Sequence, residues 1–150
     1  MNIVKTLQQY DEKNIYFCEP IKNNIMCDSN FIKILYSTRF IVLNGIYLLI
    51  QFNEINLEKY YNKLNCSFNV QTHIELIHCL KIIEENILKK VSIEHKQPQF
   101  KVYEQIKTGN IKIFGDVVSK QNNLFILKIS GIWETPYNYG LTYKFIKVNK

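Results

Sequence analysis

The sequence predicts a single α+β domain over residues 1–150, with a mostly antiparallel sheet of about six to seven strands, one main amphipathic helix and one short helix. The first support is a closing hairpin at 125–148, where apolar and polar side chains alternate on both sides of the turn TPYNYG. The second is a run at 31–52 that is rich in strand-forming residues. The third is an apolar stripe at helical spacing over 74–91. We expect an open sheet or one that partly closes into a barrel.

The N-terminal segment predicts weaker elements than the rest of the chain. Residues 1–13 are polar with weak helical spacing, which indicates a short helix or a loosely held arm. Residues 15–25 mix apolar side chains with Pro20 and paired asparagines. Because proline has no N–H to donate to a sheet, we expect a short edge strand there.

The run at 31–52 predicts the centre of the sheet. Residues 31–36 favour a strand, and Asn44-Gly45 separates two further apolar runs. Asn-Gly between such runs is typical of a type I′ hairpin turn, because both central residues of that turn need a positive φ. The two runs, FIVL and IYLLI, are apolar on both faces. We therefore expect this hairpin to be covered on both sides.

The middle of the chain predicts both helices. Residues 53–64 have apolar side chains at roughly helical spacing and Asn53 as a cap, so the short helix is expected there. Thr72–Glu75 has the sequence of a capping box, which predicts the start of the main helix. The apolar stripe of that helix is Ile74, Ile77, Leu80, Ile83, Ile87 and Val91. Glu84 and Glu85 are expected on its solvated side, away from any pocket that could raise a carboxyl pKa.

The segment after the main helix is expected to be irregular before the sheet resumes. Residues 92–99 are predicted to form a polar connection. Residues 100–108 fit either a strand or a helical turn that ends at Gly109. Residues 110–114 predict a strand, and 115–123 predict a loop.

The closing hairpin is expected to have an apolar inner face and a basic outer face. The predicted inner side chains are Phe125, Leu127, Ile129, Gly131, Trp133, Leu141, Tyr143 and Phe145. Lys128 and Lys144 fall on the other face. Tyr137 and Tyr139 belong to the turn TPYNYG, so we expect them at an exposed tip.

Positive charge is concentrated in the C-terminal third of the chain. The formal net charge of the whole chain is +6. From Pro98 to Lys150 there are eight lysines against three acidic residues, a net of +5, which leaves +1 for the first 97 residues. An anionic partner is therefore expected to bind this third. Abundant Ile, Asn, Lys and Tyr, the absence of Ala and a single arginine also indicate an AT-rich genome, which raises the lysine content by itself.

The cysteine spacing predicts neither disulfides nor a metal site. Cys18, Cys27, Cys66 and Cys79 form no CxxC pair and lie in segments expected to be core elements, which indicates reduced thiols. The alternative is a metal site built from Cys18, Cys27, His78 and Cys79, but ligand pairs normally have tighter spacing. No metal and no cofactor is therefore predicted.

No group of residues predicts a catalytic site. His73 and His78 are five residues apart, which puts them on different helix faces, and His95 lies in a polar connection. The glycines are isolated, so no phosphate-binding loop is expected. The sequence therefore favours a protein that is not an enzyme.

Lysines and aromatic residues occur together in the C-terminal third, as a surface for single-stranded nucleic acid requires. Cations replace the counterions of the phosphates, and flat side chains stack on bases. The predicted nucleic-acid-binding residues are Lys112, Lys128, Tyr137, Tyr139, Lys144 and Lys147. The alternative is that Phe125, Trp133, Tyr143 and Phe145 are core residues and that the lysines form an ordinary solvated face.

Three segments of the chain resemble small uncharacterised proteins of large double-stranded DNA viruses with AT-rich genomes: NNIMCDSNFIKILYSTRFIVLNGIYLLI, GNIKIF and FILKISGIWETPYNYGLTYKF. The resemblance implies an intracellular protein of the infected cell, in the host cytoplasm or nucleus, or a component of the virion. Single-stranded-DNA-binding proteins of the OB type occur in such viruses. This chain ends in FIKVNK and lacks the acidic C-terminal tail of the phage type.

Two functions follow as hypotheses. The first is a non-enzymatic nucleic-acid-binding protein that prefers single strands and acts in viral replication or transcription. The second is a virion or replication-complex module that uses the sheet edge or the aromatic tip to bind a second copy of itself or another viral protein. A membrane is not expected as a partner, because the longest apolar run, Ile46–Ile50, is too short to span a bilayer.

Overall fold

The computed structural model describes residues 4–22, 29–61, 63–114 and 123–148, which form a large sheet and two α-helices. The strands are β1 (Ile15–Phe17), β2 (Ile21–Lys22), β3 (Asn30–Ser37), β4 (Val42–Leu43), β5 (Ile46–Gln51), β6 (Asn56–Tyr60), β7 (Lys63–Ser67), β8 (Gln97–Gln99), β9 (Asn110–Phe114), β10 (Leu124–Glu134) and β11 (Asn138–Lys147). The helices are α1 (Ile74–Val91) and α2 (Lys101–Ile106). Short 3₁₀ turns lie at Glu12–Asn14 and Gln71–His73.

The predicted α+β class with a mostly antiparallel sheet is confirmed, but the predicted size of the sheet is wrong. Within the described residues the sheet has eleven strands, and it is open, with the order β1-β3-β10-β11-β9-β7-β6 from edge to edge. The other strands pair beside β3, β10 and β11. Four strands, β1, β2, β4 and β8, have only two or three residues each. Segments this short carry no hydrophobic period, so the sequence could neither separate β1 from β2 nor reveal β8.

The long strand β10 forms the centre of the sheet. One of its edges pairs with β11. The other edge pairs first with β5, over Leu124–Ile129, and then with β3, over Gly131–Glu134. The change of partner coincides with a β-bulge between Ile129 and Gly131. An extra residue at a bulge bends a strand and increases its twist, which lets one strand serve two neighbours in succession.

The Asn44-Gly45 pair does not form the predicted hairpin turn. β4 pairs with β3, whereas β5 pairs with β10, so the two residues carry the chain from one neighbour to another. The tight turn lies earlier, where the backbone N–H of Thr38 donates to the carbonyl oxygen of Ile41 at 2.8 Å. Gly45 does adopt a positive φ of 106°, and a Cβ there would lie 2.8 Å from the carbonyl oxygen of Ile129. The glycine is therefore required by close approach to β10.

The short helix predicted at 53–64 is wrong, because this segment forms the antiparallel hairpin of β6 and β7. Leu64 and Cys66 alternate into the core, and β7 is also paired along its length with β9. The spacing of the apolar residues fits a helix and a strand about equally, and the long-range partner β9 decides between them. The hairpin turns at Tyr61, whose φ is +57°.

The main helix is confirmed, but the predicted capping box at its start does not form. It begins at Ile74 after a 3₁₀ turn, and no side chain of the proposed capping box caps it. The side-chain oxygen of Asn69 instead accepts from the backbone N–H of Gln71 at 2.8 Å. The buried apolar side chains of α1 are Ile77, Leu80, Ile83, Ile87 and Leu88, whereas Ile74 is 55% exposed.

The segments around the main helix agree in part with expectation. β1 and β2 flank Pro20 and pair with β3, which confirms the edge strand as far as residue 22. The connection at 92–99 contains β8, which runs parallel to β11. The short helix of the fold is α2, and Gly109 follows it with a φ of 82°. Strand β9 is confirmed, whereas residues 115–122 of the predicted loop lie outside the described residues.

The N-terminal segment forms an arm from residue 4 onward. Lys5 makes an isolated bridge beside β5, and its backbone N–H donates to the carbonyl oxygen of Tyr47 at 2.9 Å. A short helix or an arm is expected for residues 1–13, and the described part forms an arm that contacts β5. Neither described helix is long and apolar enough to cross a membrane.

The helices cover one face of the sheet, which we call the inner face. Phe145 of β11 and Val102 and Ile106 of α2 share one buried core. Tyr143 of β11 donates from its hydroxyl to Oε1 of Gln105 in α2 at 2.6 Å. Side chains that alternate with those of the inner face point away from the helices. We call the surface they form the outer face.

Candidate nucleic-acid interface

The outer face carries lysines at neighbouring positions of the two central strands. Lys128 on β10 pairs directly with Lys144 on β11. On its other side Lys128 pairs with Tyr47 on β5. Adjacent strands are separated by about 4.8 Å, so these three side chains lie in one line across the sheet.

The same line continues onto β9. β11 and β9 run parallel and pair at Phe145 and Ile113, both of which are buried in the inner face. The residues just before this pair, Lys144 and Lys112, therefore lie side by side on the outer face, and both are exposed. We call Lys112, Lys128 and Lys144 the lysine row.

The lysine row concentrates positive charge, and no carboxylate of the described residues forms an ion pair with it. Like charges directly opposite each other in a sheet are destabilising. Within the described residues the ion pairs join other lysines: Lys81 with Glu85, Lys96 with Glu134, and Lys101 with Glu104. The repulsion between Lys128 and its neighbours is partly offset by a cation–π contact, because the Lys128 ammonium group lies 5.5 Å from the centre of the Tyr47 ring. The row therefore has the electrostatic character of a binding site for an anion.

Aromatic rings lie beside the lysine row on the same face. The bulge in β10 moves Trp133 to the outer face, so its predicted inward position is wrong. Trp133 packs over Gly140, where a Cβ would come within 2.7 Å of the indole ring. Phe31 packs over Gly131 in the same way, at 2.6 Å. Both rings are partly exposed, so the outer face presents flat aromatic groups as well as cations.

Of the predicted site residues, Lys112, Lys128, Lys144 and Tyr137 lie at the surface. Tyr137 is 77% exposed at the tip of the closing hairpin, as expected. Tyr139 is only 5% exposed, so the predicted exposure of this residue is wrong. The turn is shorter than expected, because β11 already begins at Asn138. The backbone N–H of Thr135 donates to the carbonyl oxygen of Asn138 at 2.8 Å and closes the turn. Tyr139 is therefore a strand residue with an inward side chain.

Lys147 is also buried, contrary to its predicted place on the binding surface. It is 5% exposed and pairs with Phe125, above whose ring its ammonium group lies at 5.3 Å. Lys147 is two residues from Phe145, so strand alternation puts both side chains on the inner face. Burial lowers the pKa of Lys147, while the nearby Cys66 thiol acts in the opposite direction. Lys147 is therefore excluded from the outer surface.

Glu84 is buried in the helical layer, and its predicted solvated position is wrong. Its carboxylate oxygens accept hydrogen bonds from the backbone N–H groups of Val102 and Tyr103, both at 2.9 Å. Burial raises the pKa of Glu84 to about 7, although these two hydrogen bonds act to lower it. The carboxyl joins α1 to the first turn of α2, where free backbone N–H groups need acceptors. Its role is structural.

The histidine and cysteine positions offer no metal site in the part of the chain that the structure describes. No group of three or more potential ligands forms within those residues. His73 is buried, and its Nε2 accepts from the backbone N–H of Asn53 at 2.9 Å. Its Nδ1 lies 2.6 Å from the carbonyl oxygen of Asn69, to which it donates in the neutral form. Both ring nitrogens of His73 are therefore engaged in hydrogen bonds to the backbone, which gives this residue a structural role.

Sequence reasoning missed Tyr47, Phe31 and Trp133 as residues of this face. Tyr47 adjoins the row only because β5 pairs with β10. Phe31 and Trp133 share a cross-strand pair that exists only after the bulge. The available signal was the presence of Gly131 inside an apolar strand, since such a glycine marks a bulge or a close approach.

No protein-family model matches this chain, and neither the curated proteins nor the solved structures include one that is significantly similar to it.

Proposed function

We propose that this protein binds single-stranded nucleic acid on the outer face of its sheet and is not an enzyme. The observation that carries the proposal is the side-by-side position of Lys112, Lys128 and Lys144 on three neighbouring strands. With the viral resemblance of the sequence, we further propose a role in viral replication or transcription.

The combination of cations and rings supports a single strand as the ligand. Phosphates bind lysines by releasing counterions, and unpaired bases stack on aromatic side chains. Phe31, Trp133 and Tyr47 are partly exposed on the same face as the lysine row. A duplex hides its base faces, so such rings contribute to binding only when bases are unstacked. Tyr137 offers a further exposed ring at the tip of the hairpin that carries Trp133.

The test compares the salt dependence of oligonucleotide binding in two triple variants. In the first, Lys112, Lys128 and Lys144 are replaced by Ala. In the control, three lysines of the helices, Lys81, Lys89 and Lys101, are replaced by Ala, which removes the same charge from the other side of the sheet. Fluorescence anisotropy with a labelled oligonucleotide gives log K against log salt. Each phosphate contact contributes a slope of about −0.7 for single strands.

We expect the slope of the lysine-row variant to be shallower than that of the wild type by about 2, because three contacts are lost. The control variant should keep the wild-type slope. Equal slopes in both variants would place the binding elsewhere on the protein. If the wild type binds no oligonucleotide at low salt and forms a stable dimer, the protein-interaction module is favoured instead. The exposed Phe40 and Val42 beside the β3–β4 turn would be its first candidates for the contact surface.

A further inference from the structure

A groove opens at the end of the lysine row. It has a volume of about 650 Å³ and is lined by residues of the β6–β7 hairpin and of β9. Its lining includes Glu58, Lys59, Tyr61, Lys63, Asn65 and Lys112. Lys112 belongs to both the groove and the lysine row, so the two surfaces are continuous.

The charges of the groove favour an anion. Lys59, Lys63 and Lys112 line it together with one carboxylate, Glu58. On the outer face Lys112 pairs with Asn65. Lys63 lies two residues before Asn65, so both side chains are on the same side of β7. Lys63 and Lys112 are thus diagonal neighbours on two paired strands, close enough for their long side chains to reach one ligand. This arrangement suits the oxygens of a phosphate.

Polar amides form another part of the groove wall. The side-chain amide of Asn65 donates to Oδ1 of Asn110 at 3.3 Å, and the hydroxyl of Ser67 donates to the same oxygen at 2.8 Å. These contacts fix the orientation of Asn110, which also lines the groove. An amide carries donors and an acceptor, so it can bond the edge of a base.

An exposed aromatic ring stands at the mouth of the groove. Tyr61 is 81% exposed and lies at the β6–β7 turn with a φ of +57°. Gly and Asn are the residues that normally occupy this conformation, because a Cβ is unfavourable there. A tyrosine at this position is strained and gains no burial in return. Strained residues of this kind are concentrated at functional sites.

We infer that this groove is a nucleotide subsite, in which a base stacks on Tyr61 and its phosphate binds between Lys63 and Lys112. The inference rests on the proposed function, since the nucleotide belongs to the single strand bound along the lysine row. It assigns Tyr61 to base stacking and Lys63 to phosphate binding. It also predicts that the bound nucleic acid extends across the sheet toward β6.

The experiment separates base stacking from charge by using two oligomers of equal length. One is a normal single-stranded oligonucleotide, and the other is an abasic oligomer with the same phosphates but no bases. Each is titrated against the wild type and against Tyr61→Asn. Asparagine adopts a positive φ readily, so this variant is expected to fold at least as well as the wild type. The matched control is Phe40→Ala, which removes an exposed aromatic ring from the β3–β4 turn.

Tyr61→Asn should weaken binding of the normal oligonucleotide by about 5- to 150-fold, the effect of losing one stacked base. Its affinity for the abasic oligomer and its salt slope should stay unchanged, and Phe40→Ala should change neither affinity. An unchanged affinity for the normal oligonucleotide, or an equal loss for both oligomers, would overturn the subsite while the proposed function stands. Failure of the wild type to bind either oligomer would overturn both.

Discussion

The carboxyl of Glu84 lies inside the helical layer and is 1% exposed. Burial raises its pKa from about 4.5 to about 7. Between these two values the folded protein holds a proton that the unfolded chain has released, so the free energy of unfolding falls as the pH rises through this range. The size of the effect is on the order of 3 kcal/mol. Above pH 7 the carboxyl is ionised in both states and adds no further pH dependence.

Replacing Glu84 by Gln should remove this pH dependence, because an amide does not titrate. One of the N–H groups of Val102 and Tyr103 should also lose its acceptor, which lowers the free energy of unfolding at pH 5 by about 1–3 kcal/mol. Urea unfolding at pH 5 and pH 7 measures both effects. The control is Glu85→Gln on the exposed side of the same helix, which should keep the wild-type slope. A Glu84→Gln protein with an unchanged pH dependence would show that another group titrates.

Burial of single residues was only partly predictable from the sequence. The turn near Tyr139 and the charge of Lys147 predict the surface for both residues. Strand alternation from Phe145 predicts the inner face for Lys147, and in the structure alternation outweighs charge. Glu84 was not predictable, because its partners belong to α2, a six-residue helix that the local pattern did not distinguish from a strand.

The bulge of β10 is the element that allows the central strand to pair with β5 and then with β3. Gly131 follows the bulge, and a Cβ there would lie 2.3 Å from the carbonyl oxygen of Ile32 and 2.6 Å from the ring of Phe31. Gly131→Ala should therefore separate β10 from β3 and lower the free energy of unfolding by about 1–3 kcal/mol. Urea unfolding measures the change, and Ser130→Ala is the neighbouring control. Equal stability of the two variants would contradict this packing.

The prediction of elements succeeded where a segment carries its own pattern and failed where a distant partner decides. α1, β9 and the two strands of the closing hairpin have strong local periods and are predicted as elements, although the bulge of β10 and the short turn of the hairpin are not. The segment 53–64 fits two periods, and its pairing with β9, about 50 residues later, selects the strand. Asn44-Gly45 did predict a positive φ at Gly45, but a local signal cannot name the strand that the next segment pairs with.

At the scale of the whole molecule, the sequence located the positive charge but not its arrangement. It assigned the basic excess to the C-terminal third, which contains the lysine row. The row exists because β11 and β9 run parallel and align Lys144 with Lys112, and parallel pairing across a long connection leaves no local signal. The groove has no local signal either, since the predicted helix at 53–64 replaces β6 and the start of β7.

The central claim is that single-stranded nucleic acid binds the outer face of the sheet and does not contact the helices. Acetylation of lysines, read by mass spectrometry with and without a single-stranded oligonucleotide, tests this claim most directly. We predict that the oligonucleotide lowers the modification of Lys112, Lys128 and Lys144 several-fold and leaves Lys81, Lys89 and Lys101 unchanged. Equal protection of both sets, or protection of the helix lysines alone, would contradict it.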